Sequence, residues 1–163
     1  MKRAIVLALS VILALTMAAP PVLAQGNGGA PEDVSGTFTV NPGDPNFPGT
    51  CTFPLQLEVS GKGKTITLRD GSRILTSPGL KVTATNLDNG EQATFSITGA
   101  FHETTAENGE VTTKVTGRNL LFDPDAGIVL LSGNFSFVFD AEGNLVQPFK
   151  GEGQVIDVCA LLE

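Results

Sequence analysis

The sequence predicts an all-β protein, an antiparallel up-and-down meander of six to eight long, bent strands closing into a β-barrel. Three observations predict it. From Cys51 onward no stretch holds a helical period; apolar and polar residues alternate over long runs instead. Turn signals break these runs at Asp70-Gly71, Asp88-Asn89-Gly90, Glu107-Asn108-Gly109, Pro124-Asp125-Ala126-Gly127 and Ala141-Glu142-Gly143, each suited to a hairpin connection. Glycines recur where those hairpins would align them, in a row that crosses the strands.

The chain opens with Lys2-Arg3, an apolar run from Ala4 to Ala19, and Val22-Leu23-Ala24. These are the three parts of a secretory signal peptide, residues 1–24, with cleavage expected after Ala24. The apolar run falls short of the roughly 20 residues a spanning helix needs. The mature chain, residues 25–163, is therefore expected to be secreted, without a membrane span. It is long enough for one domain with its own core. Residues 25–50 are dense in Gly, Pro and Asn and read as a leader. Within it only SGTFTV alternates like a strand, with Phe38 and Val40 on one face. Residues 51–163 are the single β domain, with strands expected near 51–69, 72–87, 92–106, 110–122, 128–139 and 144–159. Division of the first two would raise the count to eight.

Hairpin geometry sets a register. A turn centred on Asp125 puts Gly117 opposite Gly133, one centred on Glu142 puts Gly133 opposite Gly151, and one centred on Asn108 puts Gly99 opposite Gly117. The row continues toward Gly79 and the Gly61-Lys62-Gly63 stretch. In this register the odd positions from 95 to 155 are predominantly apolar, among them Phe95, Phe101, Phe135, Phe137, Phe139 and Phe149, while the even ones are mostly polar. That is the pattern of a half-buried antiparallel sheet. Gly99, Gly117, Gly133 and Gly151 share the odd parity and are expected to point inward. An inward glycine row is a crease where long strands bend, which lets a meander curl and close. Cys51 and Cys159, on the first and last strands, are expected to form a disulfide stapling the seam of an exported protein.

One group breaks the face rule. Leu120, Phe122, Ile128, Leu130, Ile156 and Val158 are even and apolar, and the register makes them a contiguous patch on the outside. Such a patch marks an interaction surface. Three explanations stand open: the N-terminal segment with Phe38, Val40 and Phe47 lies over it, a second copy of the chain does, or a bulge swaps the faces locally.

The chemistry-bearing inventory is thin. Removing residues 1–24, which carry two basic residues and no acid, takes the formal charge from −7 to −9. An acidic surface disfavours nucleic acid and anionic membranes as partners. The single histidine, His102, falls on the outer face, and no nucleophile motif is present. No catalytic residue, cofactor or metal is expected. Asp123 and Asp125 with a neighbouring carbonyl resemble part of a calcium site, but acids are ordinary turn residues. With no Trp or Tyr, a sugar-stacking platform is disfavoured. Glycines facing a Phe-lined interior leave volume, which either larger neighbours fill or an apolar ligand occupies. In the second case Phe95, Phe101, Phe135, Phe137 and Phe149 line the site together with Gly99, Gly117, Gly133 and Gly151.

The stretches VTGRNLLFDPDAGIVLLSGNFSF and DAEGNLVQPFKGEGQVIDVCALL resemble those of small exported bacterial all-β proteins of unassigned function. The resemblance covers about residues 50–163 and rests on turn and glycine pattern. It implies export and an all-β domain, and transfers no activity. In architecture the meander is also similar to lipocalin-like and allene-oxide-cyclase-like barrels. Three functions follow as expectations: a secreted, non-catalytic binder of a small apolar ligand, an extracellular interaction protein using the outer patch, and a cyclase- or isomerase-like enzyme. The last needs an acid in the lining, and only Glu103 and Asp157 are carboxylates at odd positions inside the long strands.

Overall fold

A computed structural model describes residues 29–47, 49–124 and 126–163. The expected signal peptide lies outside the described residues. The described residues form nine strands: β1 (Glu32–Val40), β2 (Leu55–Thr67), β3 (Arg73–Thr76), β4 (Lys81–Asn86), β5 (Gln92–Ser96), β6 (Ala100–Thr105), β7 (Val111–Asp123), β8 (Gly127–Phe139) and β9 (Leu145–Asp157). A short helix, α1 (Val158–Leu162), follows. All pairings are antiparallel.

The protein is all-β, but the sheet is open, not a closed barrel. Among the described residues β9 pairs with β8 alone and has no partner on its other edge. The closure expected between first and last strands fails because the meander splits. The expected strands 72–87 and 92–106 are each divided, into β3 and β4 and into β5 and β6, at Ser77–Leu80 and Ile97–Gly99. The first expected strand, in contrast, runs on undivided as β2. The first sheet is β1, the N-terminal half of β2, β4 and β5. The second is the C-terminal end of β2, then β3, β6, β7, β8 and β9. β2 passes from one to the other through Gly61, whose φ of 143° and close approach to Leu80 (2.5 Å from a would-be Cβ to Leu80 Cα) leave no room for a side chain.

The two sheets have separate apolar clusters. In the first, Leu55, Leu57 and Val59 of β2, Val82 and Ala84 of β4 and Phe95 of β5 pack against Phe122, Ile128 and Leu130 of the β7–β8 hairpin. Val40, Phe53, Val158 and Leu162 complete it. The other face of the same hairpin supplies the second cluster: Val115, Leu121, Val129, Leu131, Phe135, Phe137 and Phe139, joined by Phe101, Leu75, Leu145 and Phe149. The far half of β7–β8 is therefore buried on both faces, which is why its sequence abandons alternation for the runs LLF and IVLL.

Cys51 and Cys159 form the expected disulfide, 108 residues apart in sequence, and tie α1 to the entry of β2. Asp157 caps α1 by accepting a hydrogen bond from Ala160 N at 3.1 Å. Asn86, itself buried, donates through Nδ2 to the Leu162 carbonyl at 2.9 Å. The helix was not foreseen; VCALL is too short for a period to show. Among the described residues no helix is long and apolar enough to cross a membrane.

The β7–β8 register is as expected, with Gly117 opposite Gly133 in an uninterrupted ladder. Gly99 donates its N–H to Arg118 O at 2.9 Å beside Gly117, as the row requires. The β8–β9 register is not. Gly133 faces Gly153, and Gly151 faces Phe135. Two register shifts, between Ser136 and Val138 and between Val138 and Phe139, each let β9 absorb an extra residue around Pro148. Proline cannot donate to the ladder, and a bulge is where a strand accommodates it. The same shift moves Ile156 from Ile128 to Leu130.

Candidate functional site

Three rows of side chains cross the apolar face of the second sheet. The ladder pairs Leu75, Phe101, Val115 and Phe135 in one row, and Arg73, Glu103, Thr113 and Phe137 in the next. Val111 and Phe139 are paired in the third. The middle row is polar between two apolar ones. Glu103 and Thr113 are buried, at 4% and 0% exposure. Arg73 lies at the rim, its side chain 44% exposed.

The charge of Glu103 is met from one side only. Arg73 Nε donates to Oε2 at 2.8 Å, and Arg73 Nη2 donates to the same oxygen. A fork-to-fork pair would engage both carboxylate oxygens. Here both nitrogens take one, and Oε1 has no hydrogen-bond partner among the described residues. Thr113 Oγ1, on the directly opposite residue of β7, has none either. A buried polar atom left unpaired costs about 1–3 kcal/mol. The face thus holds two adjacent unmet groups, an acceptor and a hydroxyl able to donate or accept.

The expected lining is divided by the structure. Phe101, Phe135, Phe137 and Phe149 come together in the second cluster, with Phe137 and Phe149 ring centroids 4.5 Å apart. Phe95 does not join them; it belongs to the first cluster because the break at Ile97–Gly99 sends β5 to the other sheet. The glycines do not line this interior. Gly99 is buried, but Gly117 and Gly151 are exposed and Gly133 is half-buried. Gly99 and Gly117 floor a surface cleft of about 260 Å³, walled by Thr76, Pro78, Thr98 and Thr116. Their role is close backbone approach: a Cβ on Gly133 would stand 2.2 Å from Glu152 O, and one on Gly117 3.1 Å from Gly99 Cα. At these glycines backbone stands where a side chain would otherwise go.

The expected outer patch is not on the outside. Phe122, Ile128, Leu130 and Val158 are buried at 0–3% exposure and Leu120 is half-buried, all in the first cluster. The alternation fixed which face they share; the first sheet then folded over that face. Part of the cover is the N-terminal segment, as one of the three explanations had it. Phe47 lies against Phe122 at 5.1 Å between ring centroids, and Phe38 stacks on Phe47. Ile156 alone of the patch is exposed, at 37%.

Elsewhere the chemistry is sparse. His102 is exposed on the opposite face, between Ile74 and Lys114 in the ladder. Asp123 Oδ1 accepts from Ala126 N at 3.0 Å and so closes its own turn; Asp125 lies outside the described residues. Among the described residues no group of three or more His, Cys, Asp or Glu is placed to hold a metal. Two exposed turn acids, Asp70 and Asp140, titrate below their ordinary range. The Ser72 hydroxyl and amide hold Asp70 down, and the Asn144 side chain and amide hold Asp140 down.

Sequence reasoning singled out Glu103 but missed Arg73 and Thr113. The signal for Thr113 was available, because the turn centred on Asn108 sets residue 103 opposite residue 113. The signal for Arg73 was not, since its pairing with Glu103 depends on the divided strands. The chain was compared with protein-family models, curated proteins and solved structures, and none of them matches it.

Proposed function

We propose that the protein is a secreted, non-catalytic binding protein that takes a small apolar ligand against the phenylalanine face of its second sheet. The observation that carries this reading is the way the second cluster is built. Every side chain in it comes from one curled sheet. Its burial fades toward the open edge: Phe137 is 1% exposed and Phe149 and Leu145 are half-buried, while Val155 on β9, outside the cluster, is 57% exposed. An apolar face that a protein leaves open at one side is the ordinary setting for a small ligand. A disulfide is the mark of an oxidising compartment and supports export.

The interaction reading loses its surface, since the patch around Phe122 and Ile128 is interior. The cyclase- or isomerase-like reading finds its acid in Glu103. Yet Oε2 is held by Arg73, and no second carboxylate or histidine stands in that row to take or return a proton. The test is titration with the apolar fluorophore N-phenyl-1-naphthylamine, beside native mass spectrometry of protein purified from culture medium. Saturable one-to-one binding, weakened at least tenfold by Phe149→Ser, is expected. No saturable binding and no co-purifying mass would overturn the reading.

A further inference from the structure

We infer that the ligand of the phenylalanine face is a neutral molecule with a single alcohol group, which the Glu103–Thr113 pair receives. This rests on the ligand reading above and adds the chemistry of the head group. Glu103 Oε1 and Thr113 Oγ1 are buried, adjacent across the β6–β7 ladder, and both unpaired. Between them they ask for one group that donates to a carboxylate and exchanges a hydrogen bond with a hydroxyl. An alcohol does both through one oxygen: it donates to Oε1 and accepts from the Thr113 hydroxyl.

Charge narrows the class. Arg73 already balances Glu103, so an ammonium head would bring an unpaired positive charge into a buried face. A carboxylate head would meet Oε1 as a like charge and could not donate to it. An ether or a plain hydrocarbon would leave Oε1 unmet. The flanking rows, Phe101–Val115–Phe135 on one side and Val111–Phe139 on the other, are apolar and suit the body of the molecule. Arg73 orients Glu103 and acts as a positioning residue.

The experiment compares 1-decanol with its methyl ether as competitors of N-phenyl-1-naphthylamine, a pair that differs at the donor. Wild-type protein is expected to prefer the alcohol at least tenfold, a factor set by one buried donor–acceptor pair. Thr113→Val, which keeps the shape of the side chain, and Glu103→Gln should each cut that preference to threefold or less. Both variants are first checked for an unchanged circular dichroism spectrum and a cooperative melt. Equal affinities in the wild type would mean that the pair holds water only and would overturn the inference, as would a preference that survives in both variants. If the fluorophore does not bind at all, it is the ligand reading that falls, and this inference with it.

Discussion

The two apolar clusters lie on opposite faces of one hairpin and are built in opposite ways. The first is sealed. Two sheets face each other across it, α1 closes one end, Phe47 covers Phe122, and the disulfide pins the whole. The second is drawn from a single sheet, thins toward a bare edge strand, and carries a carboxylate oxygen and a hydroxyl with no hydrogen-bond partner among the described residues. The difference separates two tasks. A core that only has to hold a fold excludes unpaired polar groups, because each subtracts from a small net stability. A face that tolerates two of them is set up to meet something else.

The comparison breaks most visibly at the disulfide. Cys51→Ser with Cys159→Ser should destabilise the fold by about 4–5 kcal/mol, the chain-entropy value for so long a loop, read as a lowered urea midpoint. The next effect belongs to the sealed cluster. Ile128, with 0% exposure, should cost about 3–4 kcal/mol on truncation to Ala, whereas Val155→Ala at the open edge should shift the midpoint by no more than about 0.5 kcal/mol. Thr113→Val sharpens the contrast further. Removing a hydroxyl that has no partner should leave stability within about 1 kcal/mol of the wild type, or raise it; a clear loss would show that the hydroxyl is satisfied. The smallest effect is at Asp140. Hydrogen bonds from Asn144 lower its folded pKa below 3.8, so its contribution is complete above the ordinary value and disappears as pH falls through the lowered one. Asp140→Asn should slightly flatten the acid limb of the melting curve, and carboxyl NMR titration checks the direction.

The hairpins with three-residue turns and strict alternation were legible in the sequence, because turn length sets register and parity sets face. Gly117 opposite Gly133 is the plainest instance. Legibility stopped where a strand breaks or bulges. Pro148 hides two extra residues in β9, so Gly153 takes the place expected for Gly151. Pro78-Gly79 and Thr98-Gly99 divide their strands, and that division moves Phe95 to the other sheet and opens the barrel. Parity also cannot say what lies on a face. Leu120, Phe122, Ile128 and Leu130 were correctly grouped and incorrectly placed, because a second sheet covers them. Of the polar row, Glu103 stood out as an acid at an apolar position; its partners required the third dimension.

The Cys51–Cys159 bond has a mechanical consequence. It encloses β2 through β9 in one covalent ring and leaves β1 outside. Tension applied to the chain on either side of the ring passes from Cys51 to Cys159 through sulfur and bypasses those strands. What such a force can peel is β1, held to β2 by its ladder, by the Lys62–Asp33 ion pair and by the packing of Val34, Phe38 and Val40, together with Phe47, which lies over the hairpin. Under load the molecule has two detachable flanks, β1 and the end of α1 beyond Cys159, and one body that can melt but cannot be pulled apart.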